Sequence, residues 1–239
     1  MNQTLNGLEI VLAGGSGGLG SATCRLLAAE GARLTVSYYA GVERAQKLAG
    51  LAEILQADLV NPEHRVRILN AAPNIYGLVI FAGDPARVKN AADFETMALR
   101  SQEINYLAPM MLARETAARM QASKMEGSIV LFSTMQAVHL FPGSTVYAAA
   151  KASLQHAARI LAKEFRQTNI RVNVIAPGVT NAGMAEASIA AGKYDHFLSS
   201  GIVHRFGRAA DVARAVRFLL EPDNYITGQI LSVDGGATL

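Results

Sequence analysis

The chain has 239 residues, 51% of them hydrophobic and 17% charged, with a formal net charge of +3. One substantial core is expected, and no linker or low-complexity tract argues for a second one, so residues 1–239 are read as a single unit. The single cysteine, Cys24, excludes a disulfide framework and a cysteine metal cluster; scattered basic residues argue against nucleic acid, and no apolar run reaches the roughly 18 residues needed to cross a bilayer.

Leu8 to Ala13 (LEIVLA) reads as a short buried strand that runs into Gly14-Gly15-Ser16-Gly17-Gly18-Leu19-Gly20. Leu19, Ala22, Thr23, Leu26 and Leu27 then recur at helical intervals, which predicts a helix from Leu19 to Glu30. Glycines between a strand and a helix N-terminus suit a pyrophosphate: backbone N–H groups there lack intrahelical partners, and the helix dipole is positive. The letters fit G-x-x-x-G-x-G and G-x-G-x-x-G, both dinucleotide patterns, and also G-x-S-x-G around Ser16. A nucleophilic Ser16 would need an acid and a histidine from later strands, and none of the five histidines has a distinctive setting.

A second strand is predicted from Arg33 to Ser37, and the residues after it, Tyr38-Tyr39-Ala40, hold no acid before Glu43. An acid at that strand end would accept hydrogen bonds from the ribose of NAD; without one, a 2′-phosphate meets no repulsion, and Ser37, Tyr38 or Arg44 could contact it. NADPH is therefore expected over NADH. Further strands are predicted at Ala52 to Gln56, Gly77 to Ala82, Ser128 to Ser133, Arg171 to Ile175 and Gln229 to Val233. Helical patterns lie between them at Val42 to Leu48, Pro62 to Asn70, Ser101 to Ala122, Val146 to Phe165 and Ala210 to Leu220. Strands apolar on consecutive residues are covered on both faces, so the expected fold is α/β: a doubly wound (Rossmann) seven-stranded parallel sheet with helices on both faces.

In the penultimate of those helices, Tyr147 and Lys151 are spaced Y-A-A-A-K. Four residues of helix place both side chains on one face, roughly 6 Å apart along the axis. Tyrosine ionises near pH 10, so a neighbouring ammonium that stabilises its phenolate would fit it for proton exchange.

With the glycine turn and the tyrosine-lysine helix in this order, the chain resembles the classical short-chain dehydrogenase/reductases over nearly its whole length. Asp58-Leu59, Ala82-Gly83, Asn105, Ser133-Thr134, Pro177-Gly178 and the ending from Gly228 to Gly236 carry the resemblance further. It implies that Tyr147 is the general acid in carbonyl reduction, that Lys151 lowers the tyrosine pKa and bonds the nicotinamide ribose, and that Asn105 holds a proton-relay water through its backbone or side chain. It also implies cofactor binding by Gly14, Ser16, Gly17, Gly18, Leu19, Gly20, Asp58, Leu59, Ala82, Gly83, Pro177, Gly178, Val179 and Thr180, together with Tyr147 and Lys151. A hydroxyl thirteen residues before the tyrosine should hold the substrate oxygen, and that position is Thr134. Neighbouring strand side chains point to opposite faces, so Thr134, not Ser133, is expected in the site.

Two departures stand out. Ile80-Phe81 replace two asparagines usual in the family, which puts local hydrogen bonding in question, and Gly17 replaces a basic residue. They leave open a catalytically weak dinucleotide-binding sensor as the alternative to an NADPH-dependent reductase. Among family members, 3-oxoacyl-carrier-protein reductases and polyketide ketoreductases are the most similar, implying a small-molecule or carrier-bound acyl substrate. A substrate lid is expected at about 182–206, where Met184, Ile189 and Phe197 either line the substrate space or pack the lid onto the body, while Lys124, Arg166 and Lys193 read as ordinary solvated charges. With no basic, apolar signal in MNQTLNG and no spanning run, a cytoplasmic protein is expected, and the resemblance implies a homotetramer, or a homodimer, packed through the small residues of the two long helices.

Overall fold

The computed structural model describes residues 4–239, and all statements below refer to them. Seven parallel strands form one sheet: β1 (Glu9–Ala13), β2 (Arg33–Tyr38), β3 (Glu53–Gln56), β4 (Ile75–Ile80), β5 (Gly127–Phe132), β6 (Ile170–Pro177) and β7 (Ile230–Val233). Their spatial order is β3-β2-β1-β4-β5-β6-β7. The order reverses between β1 and β4, and ligands of such sheets bind beyond the strand ends at that switch. β4 starts two residues before the expected Gly77, and β6 runs two residues past the expected Ile175.

Alternation along each strand divides the core between two faces. Val11 and Ala13 pack with Leu112, Met120, Leu154 and Leu161 under α3 (Pro62–Asn70), α5 (Ala108–Ala122) and α6 (Thr145–Glu164). Ile10 and Leu12 pack with Cys24, Leu27, Val212 and Val216 under α1 (Gly18–Ala29) and α9 (Ala209–Leu220). Ile10, Val11 and Leu12 are all fully buried, which explains the unbroken apolar run. Each such side chain contributes about 1.5–3 kcal/mol relative to exposure.

Several segments depart from the expected elements. The helix expected from Ser101 begins at Phe94 as α4 (Phe94–Gln102), passes through a π-helical turn at Glu103–Leu107, and continues as α5. Short helices the periodicity did not reveal, α7 (Glu186–Ala190) and α8 (His196–Ser200), lie in the segment before α9, and α2 (Val42–Gln46) ends two residues before the expected Leu48. Among the described residues, no helix is long and apolar enough to cross a membrane, and no three His, Cys, Asp or Glu side chains gather as a metal site would require.

Candidate active site

The turn after β1 is shaped by close backbone approach. Gly14 has φ +71° and lies so near the end of β4 that a Cβ on it would stand 2.8 Å from the Ala82 nitrogen. A Cβ on Gly20 would stand 2.5 Å from Gly15 Cα, so α1 can pack onto the turn only with glycine there. The N-cap of α1, Gly17, provides no side-chain hydrogen bond, and no acidic residue sits in the first turn, leaving the helix N–H groups open to an anion. The Ser37 hydroxyl accepts from the Gly14 N–H at 3.1 Å, so this buried side chain braces the glycine turn, and its own O–H has no partner among the described residues.

At the other side of the switch point, α6 lies against the end of β5. Lys151 is buried, and its Nζ donates to the Phe132 carbonyl at 2.9 Å. The Ser133 hydroxyl donates to the Lys151 carbonyl at 3.2 Å and accepts from Gln155 Nε2 at 2.9 Å, so it is consumed in holding strand to helix. The Thr134 oxygen accepts only a 3.3 Å bond from the Gln136 N–H and retains its own O–H for another partner. Both residues follow the end of β5 at Phe132 and both line the same cavity, so their hydrogen bonds, not strand alternation, distinguish the two hydroxyls.

The electrostatics differ from the sequence expectation. Burial pushes the Tyr147 hydroxyl up to about 12 and the Lys151 ammonium down to about 7. Desolvation disfavours both charged forms and outweighs any stabilisation of phenolate by ammonium, whose proton is directed to the Phe132 carbonyl. In this state the phenol is therefore a protonated donor rather than an acidified one.

Asn105 is fully buried in the π-helical turn. Its Oδ1 accepts from the Asp84 N–H at 2.9 Å, and its Nδ2 donates to the Asp84 carbonyl at 2.8 Å and to Ser101 Oγ at 3.0 Å. Three hydrogen bonds hold the amide against Asp84 and Ser101, and the second lone pair of Oδ1 and the main chain are left for the expected water. A Cβ on Gly83 would lie 3.1 Å from Asn105 Oδ1 and 3.5 Å from Lys151 Nζ, so this glycine lets the two groups flank it. The absent asparagines are compensated by packing: Phe81 lies on Phe132 with ring centroids 4.5 Å apart, and its N–H donates to the Ala13 carbonyl. No buried side-chain polar atom lacks a partner.

One cavity of about 1410 Å³ joins these features, lined by Gly14, Ser16 to Gly20, Ser37, Tyr38, Arg44, Asp58, Leu59, Ala82, Gly83, Thr134, Tyr147, Lys151 and Pro177 to Thr180. Of the expected site residues, only Asn105 stays outside its wall. Met184 lines it too, whereas Ile189 does not, and Phe197 packs near Phe141 with centroids 6.4 Å apart. Lys193, read as an ordinary solvated charge, reaches the wall beside Tyr194, its Nζ 5.8 Å from that ring.

A family model described as enoyl-(acyl carrier protein) reductase matches residues 13–238. Carbonyl reductase family member 4 of Danio rerio is 35% identical over 240 residues, covering 96% of this chain and 97% of that protein. The chain belongs to the short-chain dehydrogenase/reductases.

Two further comparisons place this dehydrogenase/reductase among oxidoreductases. The 3-oxoacyl-[acyl-carrier-protein] reductase of Homo sapiens is 34% identical over 232 residues, covering 95% and 96% of the two chains. A solved short chain dehydrogenase/reductase family protein superposes with TM-score 0.86 at 30% identity, covering 100% of this chain and 99% of that one. The protein is accordingly an NAD(P)-dependent short-chain oxidoreductase that acts on carbonyl groups. Its residues fit such a cofactor: the turn has no room for side chains at Gly14 and Gly20, and the uncapped start of α1 opens into the cavity. Sequence reasoning missed Arg25, Lys47, Gln136, Phe141 and Tyr194 in the wall. A signal existed for Arg25, which follows Gly18 and Ser21 at helical spacing on one face of α1.

Proposed function

We propose that the protein reduces a ketone to a secondary alcohol with NADPH, its best substrate being a 3-oxoacyl thioester or a related polyketide ketone. The observation that carries the proposal is the single cavity in which Thr134, Tyr147 and Lys151 share a wall with the glycine turn. When bound, the nicotinamide supplies hydride to the carbonyl carbon. Tyr147, held protonated by burial, gives its proton to the carbonyl oxygen as negative charge develops there. The Thr134 hydroxyl donates a second hydrogen bond to that oxygen and orients the carbonyl. Lys151, whose burial brings its pKa near neutrality, returns the proton to Tyr147 and is itself resupplied by a water held at Asn105.

NADPH over NADH is supported by Arg25, Arg44 and Lys47, which line the cavity, and by the lack of an acid after β2 before Glu43. A 3-oxoacyl substrate is supported by the relatives named as 3-oxoacyl-[acyl-carrier-protein] reductases. The segment at about 182–206 serves as the lid in this reading, supported by Met184, Lys193 and Tyr194 in the wall. Self-association as a tetramer or dimer is supported by exposed Leu99, Leu107 and Ile160 on the α4–α5 and α6 surfaces. The test is NADPH oxidation with β-ketoacyl thioesters and a ketone panel. Tyr147→Phe should lose at least about 10²-fold in turnover while NADPH binding persists; a wild type that binds NADPH and reduces nothing would defeat the proposal.

A further inference from the structure

The turn after β3 is held from outside the site by an ion pair whose arginine is buried and whose glutamate is half-buried. Asp58, Leu59 and Val60 line the cavity, and the peptide planes between Asp58 and Asn61 are almost wholly committed. The Asp58 carbonyl accepts from the Asn61 N–H at 3.1 Å, and the Val60 N–H donates to Asp58 Oδ1 at 3.0 Å. The Leu59 and Val60 carbonyls both accept from Arg65 Nη1, at 2.8 and 3.1 Å. The Asp58 N–H donates to His64 Nδ1 at 3.0 Å.

Among the described residues, the Leu59 N–H is the one main-chain donor from Asp58 to Asn61 without a partner. A trans peptide directs its N–H opposite its C=O, so fixing the Asp58 carbonyl on Asn61 also fixes the direction of that free donor. Asp58 Oδ2, the oxygen not used by Val60, is likewise without a hydrogen bond among the described residues. The turn therefore offers a neutral donor and a charged acceptor on consecutive residues. Adenine presents the complement on its Watson–Crick edge, an acceptor at N1 beside a donor at N6.

Arg65 lies on α3 and is only 5% exposed. Its Nε and Nη2 donate to the Glu115 carboxylate of α5 at 3.0–3.1 Å, which aims the remaining Nη1 at the two carbonyls. A guanidinium is a rigid planar fork, so its grip on Glu115 sets where Nη1 points. We infer that Arg65, anchored by Glu115, is a positioning residue that holds the Asp58–Leu59 turn in register to read an adenine base. This rests on the dinucleotide reading above and adds to it a second layer of side chains remote from the reacting groups.

Hypoxanthine exchanges the two edge groups, placing a carbonyl at position 6 and an N–H at position 1, so it opposes the turn at both points. Binding of NADPH and of nicotinamide hypoxanthine dinucleotide phosphate, followed by the fluorescence of the reduced nicotinamide, isolates this recognition. The wild type should prefer the adenine form by about tenfold. Arg65→Met and Arg65→Lys should bring the preference down to roughly twofold or less, because neither side chain can join Glu115 to both carbonyls. If Arg65→Met fails to fold, Glu115→Gln and Arg65→Lys decide the matter through the same ratio. A pair that merely ties α3 to α5 would weaken both dinucleotides equally, so variants that keep the wild-type ratio overturn the inference. A wild type that binds both forms alike also overturns it, while a wild type that binds neither defeats the dinucleotide reading itself.

Discussion

Lys151→Met should make the cofactor-free protein more stable, and the gain should depend on pH. Burial lowers the Lys151 pKa from 10.5 to about 7. A difference of about 3.5 pKa units corresponds to about 5 kcal/mol at ~1.4 kcal/mol per unit. The folded-state value is depressed, so between pH 7 and 10.5 the unfolded chain holds a proton that the folded chain has released. Stability contributed by this residue therefore rises with pH across that window, and the full penalty is present below it. Methionine removes the penalty but also the bond from Nζ to the Phe132 carbonyl, and an unpaired carbonyl costs about 1–3 kcal/mol. The net gain at about pH 6.5 is then about 2–4 kcal/mol, which for a domain of this size raises Tm by about 4–16 °C. By about pH 9 the margin should shrink by about 2–3 kcal/mol, since wild-type folding is by then largely relieved of the charge. Urea denaturation of both proteins at those two pH values measures it. Equal or lower stability of the variant at the acidic value, or a margin that does not shrink, would refute the assignment of a buried, proton-shedding lysine.

The glycine turn supports a paired test by differential scanning calorimetry. Gly20→Ala forces a methyl to 2.5 Å from Gly15 backbone and should cost about 1–3 kcal/mol, or about 2–12 °C in Tm. Gly17→Ala, whose Cβ would meet nothing nearer than the Gly14 oxygen at 4.0 Å, should leave Tm unchanged to within about 1 °C. Equal effects would mean that backbone proximity does not govern this turn. At the proposed oxyanion contact, Thr134→Ser should keep turnover, whereas Thr134→Ala should lose about 10²-fold. An unimpaired Thr134→Ala enzyme would remove Thr134 from the mechanism.

Much of the fold was legible because its signals are local. Seven apolar runs, each bounded by turn residues, correspond to the seven strands, and the helical pattern expected at Pro62–Asn70 coincides with α3, which Asn61 caps and proline begins. The long helix was misjudged at its start. Phe94 and Leu99 are exposed on α4, so that stretch lacks the apolar stripe that periodicity detects. Its π-helical turn was invisible for a related reason: Asn105 bonds to Asp84, twenty-one residues away, and no local pattern records that partner.

Spacing along the chain alone determined the strand–glycine–helix unit at residues 14–20 and the tyrosine and lysine one helical turn apart. Those relations follow from the fixed periods of helix and strand, which hold wherever the segment is placed. Tertiary structure decided what the side chains became. The reversal of strand order brought Gly14 against Ala82, and packing of α6 on β5 withdrew Lys151 from water and turned its proton toward a carbonyl. Glu115, fifty residues from Arg65, likewise became its partner only when α3 and α5 met on one face of the sheet. Desolvation and long-range contact depend on which distant segments arrive together, and a one-dimensional pattern does not contain that information.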